Sequence, residues 1–138
     1  MIYKLKITVL FFLLLSKQVP CFSQTKIIPG AAQLESYIKI LKKDNIGVIA
    51  HQASLVSSKT HLIDTLLTLG VNIKKVFAPE HGFRGNADAG ERVADQKDPK
   101  TGMPILSLYG SNKKPSEKSL VGISIMVLDL QDVGVRFY

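Results

Sequence analysis

The stretch Phe77-Ala78-Pro79-Glu80-His81-Gly82-Phe83-Arg84-Gly85 places a carboxylate and an imidazole side by side at the end of an apolar run, on a corner stiffened by proline and punctuated by two glycines. A glutamate beside Phe77 and Phe83 gains a raised pKa if partly buried, which suits a general acid; a solvated turn glutamate is the alternative. His81 either orients a substrate and tunes Glu80 or is a loop histidine bonded to backbone. Asp132 is a second carboxylate that follows another apolar run, and paired carboxylates are the machinery of glycoside hydrolysis. Arg84, Arg92 and Arg136 each offer a fork that grips a carboxylate or phosphate in bidentate fashion, with Arg136 favoured because it follows an apolar strand; solvated surface arginines are the default reading. His51, Glu80, His81 and Asp132 also have the donor chemistry of a zinc or manganese site, but no HExxH or other tight ligand spacing occurs, so no metal is assigned. The turn after the first strand, "HQASLVSS", lacks GxGxxG and argues against a dinucleotide; no cofactor is expected.

Residues so far apart in sequence act together only if the fold collects them. Leu34, Tyr37, Ile38 and Leu41 mark the inward stripe of a helix over Ala31 to Lys43, and Leu62, Ile63, Leu66 and Leu67 mark a second over His61 to Leu69, stopped by Gly70. Short apolar runs read as strands at Ile46 to Ala50, Val71 to Ala78, Pro104 to Tyr109 and Ile123 to Leu130, and Pro115 opens a short helix ending at Val121. The polar excursion from Gly82 to Thr101 is long for a compact domain, as functional loops are. This alternation predicts an α/β fold, a Rossmann-like parallel sheet with helices on both faces, whose strand C-terminal ends share one edge. That edge receives His51-Gln52, Glu80-His81, Tyr109-Gly110 and Gln131-Asp132, where open α/β sheets bind ligands.

The first residues read as an export signal over 1–23: Lys4 and Lys6 precede the apolar run Ile7 to Leu15, with Ser23 at a cleavage point. The run is shorter than the ~20 residues of a spanning helix, so no stable membrane span is expected after cleavage. Cys21 lacks the small preceding residues of a lipoprotein signal, which makes lipidation the weaker reading. The expected location is secreted or periplasmic, and the domain runs over 24–138. Loss of Lys4, Lys6 and Lys17 lowers the formal charge from +7 to +4, as 18 basic residues become 15 against 11 acidic ones. No basic run interleaved with aromatics occurs, so a nucleic-acid partner is not expected.

The segments "FAPEHGFRGNADAGERVADQKDPKTGMPILSLYG" and "VLDLQDVGVRFY" closely resemble the NamZ family of exo-β-N-acetylmuramidases, in matching order from about Ile46 to Tyr138. The resemblance implies a Rossmann-like N-terminal domain sharing a cleft with a second domain, and removal of N-acetylmuramic acid from non-reducing ends of peptidoglycan fragments. The glutamate of the "PEHG" motif, the family's proposed catalytic residue, corresponds to Glu80. His81 and Asp132 would assist it, and His51, Gln52, Arg84, Gln131 and Arg136 would line the sugar site, an arginine pairing with the lactyl carboxylate. "HQAS" stands where the family commonly has an Asn-Gln-Thr stretch, which places His51 at the usual asparagine. Relatives are much longer, so the C-terminal domain is expected to be absent, with the chain truncated, inactive alone and prone to associate through its uncovered sheet. A non-catalytic module that binds cell-wall sugar is the alternative, and a metal hydrolase is a third.

Overall fold

The computed structural model describes residues 27–79, 84–85 and 95–131. Signal-segment positions 1–23, Glu80, His81, Asp132 and Arg136 lie outside the described residues. A 3₁₀ turn, Gly30–Ala32, leads into α1 (Leu34–Leu41), and the Tyr37 hydroxyl donates to the Ala31 carbonyl at 2.6 Å, tying the turn to the helix. The helix begins later than its apolar stripe predicts because residues 30–32 take the tighter 3₁₀ path. Next come β1 (Asn45–Ala50), α2 (Leu62–Thr68) and β2 (Asn72–Ala78). Gly70, at φ 78°, ends α2 in the left-handed region where glycine avoids a Cβ clash. The remaining elements are β3 (Gln96–Lys97), β4 (Pro104–Ser107), α3 (Glu117–Leu120) and β5 (Ile125–Asp129).

The sheet order is β3-β4-β2-β1-β5. β1 pairs in parallel with both β2 and β5, and β2 pairs in parallel with β4. The α/β Rossmann-like reading therefore holds, and the four apolar runs do end on one edge. β3 is the unexpected strand: two residues inside the Gly82 to Thr101 excursion pair antiparallel with β4, too short to leave a periodic signal.

The two faces of the sheet are furnished differently. On one, Ile46, Val48 and Ala50 of β1 meet Leu41 of α1 and Leu62, Ile63 and Leu66 of α2 in one continuous buried core, to which β2 adds Ile73, Val76 and Ala78. On the other, the α3 segment is tied to β2, because Lys75 Nζ donates to the Ser119 carbonyl at 2.8 Å. Phe77 is fully buried on that side of β2, in register with Ile49 and Leu106. Only one turn of helix forms here, Glu117–Leu120, with Ser116 as its N-cap. Met126 and Leu128 of β5, two residues apart and therefore on one face, remain 37% and 68% exposed. Gly47 makes room beneath Met126: a Cβ there would lie 2.5 Å from Met126 Sδ.

Candidate active site

The strand order supplies the crevice. From central β1 the chain steps outward to β2 and β4, then returns to place β5 on the opposite flank of β1. Such a reversal leaves the segments after the two flanking strands diverging, and ligands bind in the gap outside their C-terminal ends. Here those segments are His51-Gln52 after β1 and Leu130-Gln131 after β5.

His51 holds the two strand ends together. The Gln131 amide donates to His51 Nε2 at 3.1 Å, so the ring hydrogen belongs on Nδ1, which faces Ser54 Oγ at 3.3 Å. Ser54 Oγ also accepts from the His51 amide at 3.1 Å and donates to the Asp129 carbonyl at 2.6 Å. Both ring nitrogens of His51 are thus engaged, Nε2 by a backbone amide and Nδ1 by the Ser54 hydroxyl. Ser54 is buried, and the sequence alone did not single it out; a serine three residues after His51, just past a strand end, is the signature of such a side-chain turn. Gln52 and Gln131 are exposed at the rim. Asp129 ends β5 with a buried Oδ2 that has no hydrogen-bond partner among the described residues.

Beneath this rim sits His61, buried, the N-cap of α2. Its Nε2 donates to the His51 carbonyl at 2.9 Å and its Nδ1 accepts from the Ile63 amide at 3.2 Å, which fixes the neutral tautomer. Burial pushes its pKa below the ordinary histidine value, only partly offset by the bond to the His51 carbonyl. A helix cap was not legible in the sequence, because histidine is an uncommon N-cap residue.

Arg84 lies four residues past Glu80, and its guanidinium is engaged by two carboxylates. Its Nε and Nη2 donate to the two oxygens of Asp98 at 2.7 Å each, and Nη2 and Nη1 reach the oxygens of Asp64 at 2.8 and 3.3 Å. Asp98 is fully buried and also accepts from the Thr101 amide at 3.1 Å and the Thr101 hydroxyl. Lys100 Nζ donates to Asp64 at 2.6 Å. The bonds from Arg84 hold the Asp98 carboxyl far below the usual carboxylate range and raise the guanidinium further still. Asp64 is lowered as well, again chiefly by Arg84. The sequence signal for Asp98 was the turn Asp98-Pro99-Lys100-Thr101-Gly102, in which an aspartate bonds the amide three residues on. Next to Arg84, Gly85 (φ 71°) approaches Gln52 so closely that a Cβ would sit 3.1 Å from Gln52 Cβ. The chain after the "PEHG" positions thus returns against the loop that follows β1.

Two of the sequence-expected residues, His51 and Gln131, are joined directly, and Gln52 meets the turn that carries Arg84. β2 leads in parallel to Pro79, immediately before Glu80, on the same edge. A separate groove of about 160 Å³ lies between the ends of β2 and β4 and the start of α3, lined by Phe77, Leu106, Ser107, Asn112, Lys114 and Ser116; of the expected site residues that are described, none borders it. Among the described residues no helix is long and apolar enough to cross a membrane.

Comparison with known proteins converges on one family. The profile described as "Exo-beta-N-acetylmuramidase NamZ, N-terminal" matches residues 46–138. A curated relative, the peptidoglycan beta-N-acetylmuramidase NamZ of Bacillus subtilis (strain 168), is 42% identical over 106 residues, which is 76% of this chain and 26% of the relative. Two crystal structures of DUF1343 family proteins from Bacteroides fragilis NCTC 9343 are also similar. One has a TM-score of 0.67 at 41% identity over 83% of this chain, the other 0.63 at 33% over 75%. The chain spans about a quarter of the length of these relatives, from 26% to 28%.

Proposed function

Because this chain belongs to the family of the NamZ N-terminal domain, we propose that its sheet edge is the muramic-acid site of an exo-β-N-acetylmuramidase acting on non-reducing ends of peptidoglycan fragments. The observation that carries the reading is topological: three adjacent parallel strands, β2, β1 and β5, end at Ala78, Ala50 and Asp129 on one edge, and the strand order reverses between β1 and β5. The positions that follow those ends in sequence are where the family resemblance puts its chemistry.

In this reading Glu80 is the general acid. It donates a proton to the glycosidic oxygen as the bond to C1 breaks, the fragment leaves as the free alcohol, and the water that adds to C1 gives up a proton that, by way of solvent, restores the carboxylic acid. His81 and Asp132 assist it. Gln52 and Gln131 border the sugar, with His51 fixing the rim on which they stand. The lactyl carboxylate that distinguishes muramic acid from glucosamine falls to Arg136, since the guanidinium of Arg84 is engaged by Asp64 and Asp98. A cell-wall substrate accords with export directed by the first 23 residues, for which the basic start and the Ile7 to Leu15 run are the support.

Hydrolysis of paired chromogenic glycosides by the protein in the form its cell makes tests the function. Release from the N-acetylmuramide, with little or none from the N-acetylglucosaminide, is the expected result. Binding of muropeptide without turnover would favour the sugar-binding module instead.

A further inference from the structure

We propose that His51 is a positioning residue that latches the crevice rim only while its ring is neutral: Nε2 accepts the Gln131 amide, and a proton taken up there from solvent releases the segment after β5. The latch holds with or without substrate, and its bearing on the sugar rests on the reading of the crevice as the muramic-acid site.

β1 and β5 run side by side to the edge, with Ala50 and Asp129 as their last register pair. Beyond it the ladder stops, and side chains of the loop after β1 take over. Ser54 Oγ donates to the Asp129 carbonyl at 2.6 Å, and His51 Nε2 accepts from the Gln131 amide at 3.1 Å. The first bond uses a hydroxyl, which keeps its proton; the second needs the lone pair of an imidazole nitrogen. An imidazolium carries N–H at both nitrogens, so it would meet the Gln131 N–H with another donor. Nδ1 offers no substitute, because it faces Ser54 Oγ at 3.3 Å. The backbone of His51 is held independently of its ring: its amide donates to Ser54 Oγ and its carbonyl accepts from His61 Nε2. Protonation therefore frees Gln131, on the β5 side of the crevice, and leaves the loop that carries the histidine in place. Among the described residues β5 is the last strand of the sheet, so no outer strand holds the segment that leaves it, and Leu130 and Gln131 are both exposed.

Among the described residues the other titratable or charged groups around His51 and its partner His61 are Asp64 of α2, Asp129 of β5, Tyr37 of α1 and Arg84, whose neighbour Gly85 approaches Gln52. Arg84 and Asp64 are bound to each other and to Asp98 and Lys100. Burial favours the neutral ring of His61. None of these side chains bonds the His51 ring, so the switch is the exchange of one lone pair for one proton at Nε2. A histidine that gripped sugar would need a free ring nitrogen, and here both are engaged.

The test uses the protein as its cell makes it, from about pH 8 to about pH 5, where histidines titrate. It combines nitrogen NMR of the imidazole rings with exchange of the Gln131 amide, corrected for the intrinsic pH dependence of exchange. The expected result is a His51 ring protonated at Nδ1 alone at the upper pH, and Gln131 protection that falls about tenfold per pH unit once that ring takes up its second proton. His51→Gln supplies an amide oxygen of similar reach that does not titrate, and should show no such fall. His61→Asn, which retains a capping side chain, should behave as wild type. KM for the chromogenic muramide should rise toward acid more in wild type than in His51→Gln. A ring protonated at Nε2 at the upper pH, Gln131 protection in wild type that ignores pH, the same fall in a folded His51→Gln, or its loss in His61→Asn would overturn the latch. Should His51→Gln fail to fold, the wild-type tautomer and titration decide. Identical KM profiles in wild type and His51→Gln, with the latch titrating, would overturn the positioning role. No muramide turnover by any form would remove the sugar reading, while exchange still tests the latch.

Discussion

The two faces of this sheet teach different lessons about the same five strands. The face under α1 and α2 is complete: Ile46, Val48, Ala50, Leu62, Ile63 and Leu66 are all at most 2% exposed, and the polar groups at its upper rim, His61 and Ser54, are bonded. The opposite face is finished only over β2, where Phe77 is covered, and becomes bare toward β5, where Leu128 is 68% exposed. Stability therefore resides on the first face. The second retains an apolar strip that nothing among the described residues covers.

The sharpest way to break that contrast is truncation of a core residue on the complete face. Leu66→Ala should cost about 2–5 kcal/mol, the range for a buried leucine that leaves a cavity, measured by denaturant unfolding. A cost below about 1 kcal/mol would mean that the α2 face is not the core.

A smaller effect comes from the rim of the same face. The folded-state pKa of His61 is lowered, chiefly by burial, so the neutral ring is the form the fold favours. Its contribution is fully present above the unfolded value of about 6.5 and is lost as pH falls below that toward the folded value, by at most about 1.4 kcal/mol per pH unit. Unfolding curves from pH 7.5 down to pH 5 should show this slope in wild type and lose it in His61→Asn, which keeps a capping side chain. An equal slope in the variant would assign the titration elsewhere.

The smallest change in stability belongs to the bare face. Leu128→Thr should move stability by no more than about 0.5 kcal/mol, as for an exposed position, while reducing self-association measured by sedimentation, because it interrupts the apolar strip beside a strand edge left unpaired among the described residues. A loss of several kcal/mol would show that Leu128 is buried in solution.

The contrast also explains what the sequence disclosed. Parallel strands and the α2 stripe were legible because apolar periodicity reports burial directly, as in Leu62, Ile63 and Leu66. The common edge followed from handedness alone. Side-chain bonds between distant segments were not legible: nothing in the spacing of Arg84, Asp64 and Asp98 announces a clamp, nor does His51 reveal that the Gln131 amide will occupy its ring nitrogen, 80 positions away. Such bonds depend on three-dimensional register rather than on local pattern. β3 was missed for the related reason that two residues held by pairing to β4 carry no period.

The most direct measurement is the rate of N-acetylmuramic acid release by wild type and Glu80→Gln in the protein as its cell makes it. Removal of the proposed general acid should lower kcat by about 100-fold or more, within the usual range for such groups, with the fold unchanged by circular dichroism. Equal rates in the two proteins would contradict Glu80 as the acid of this site.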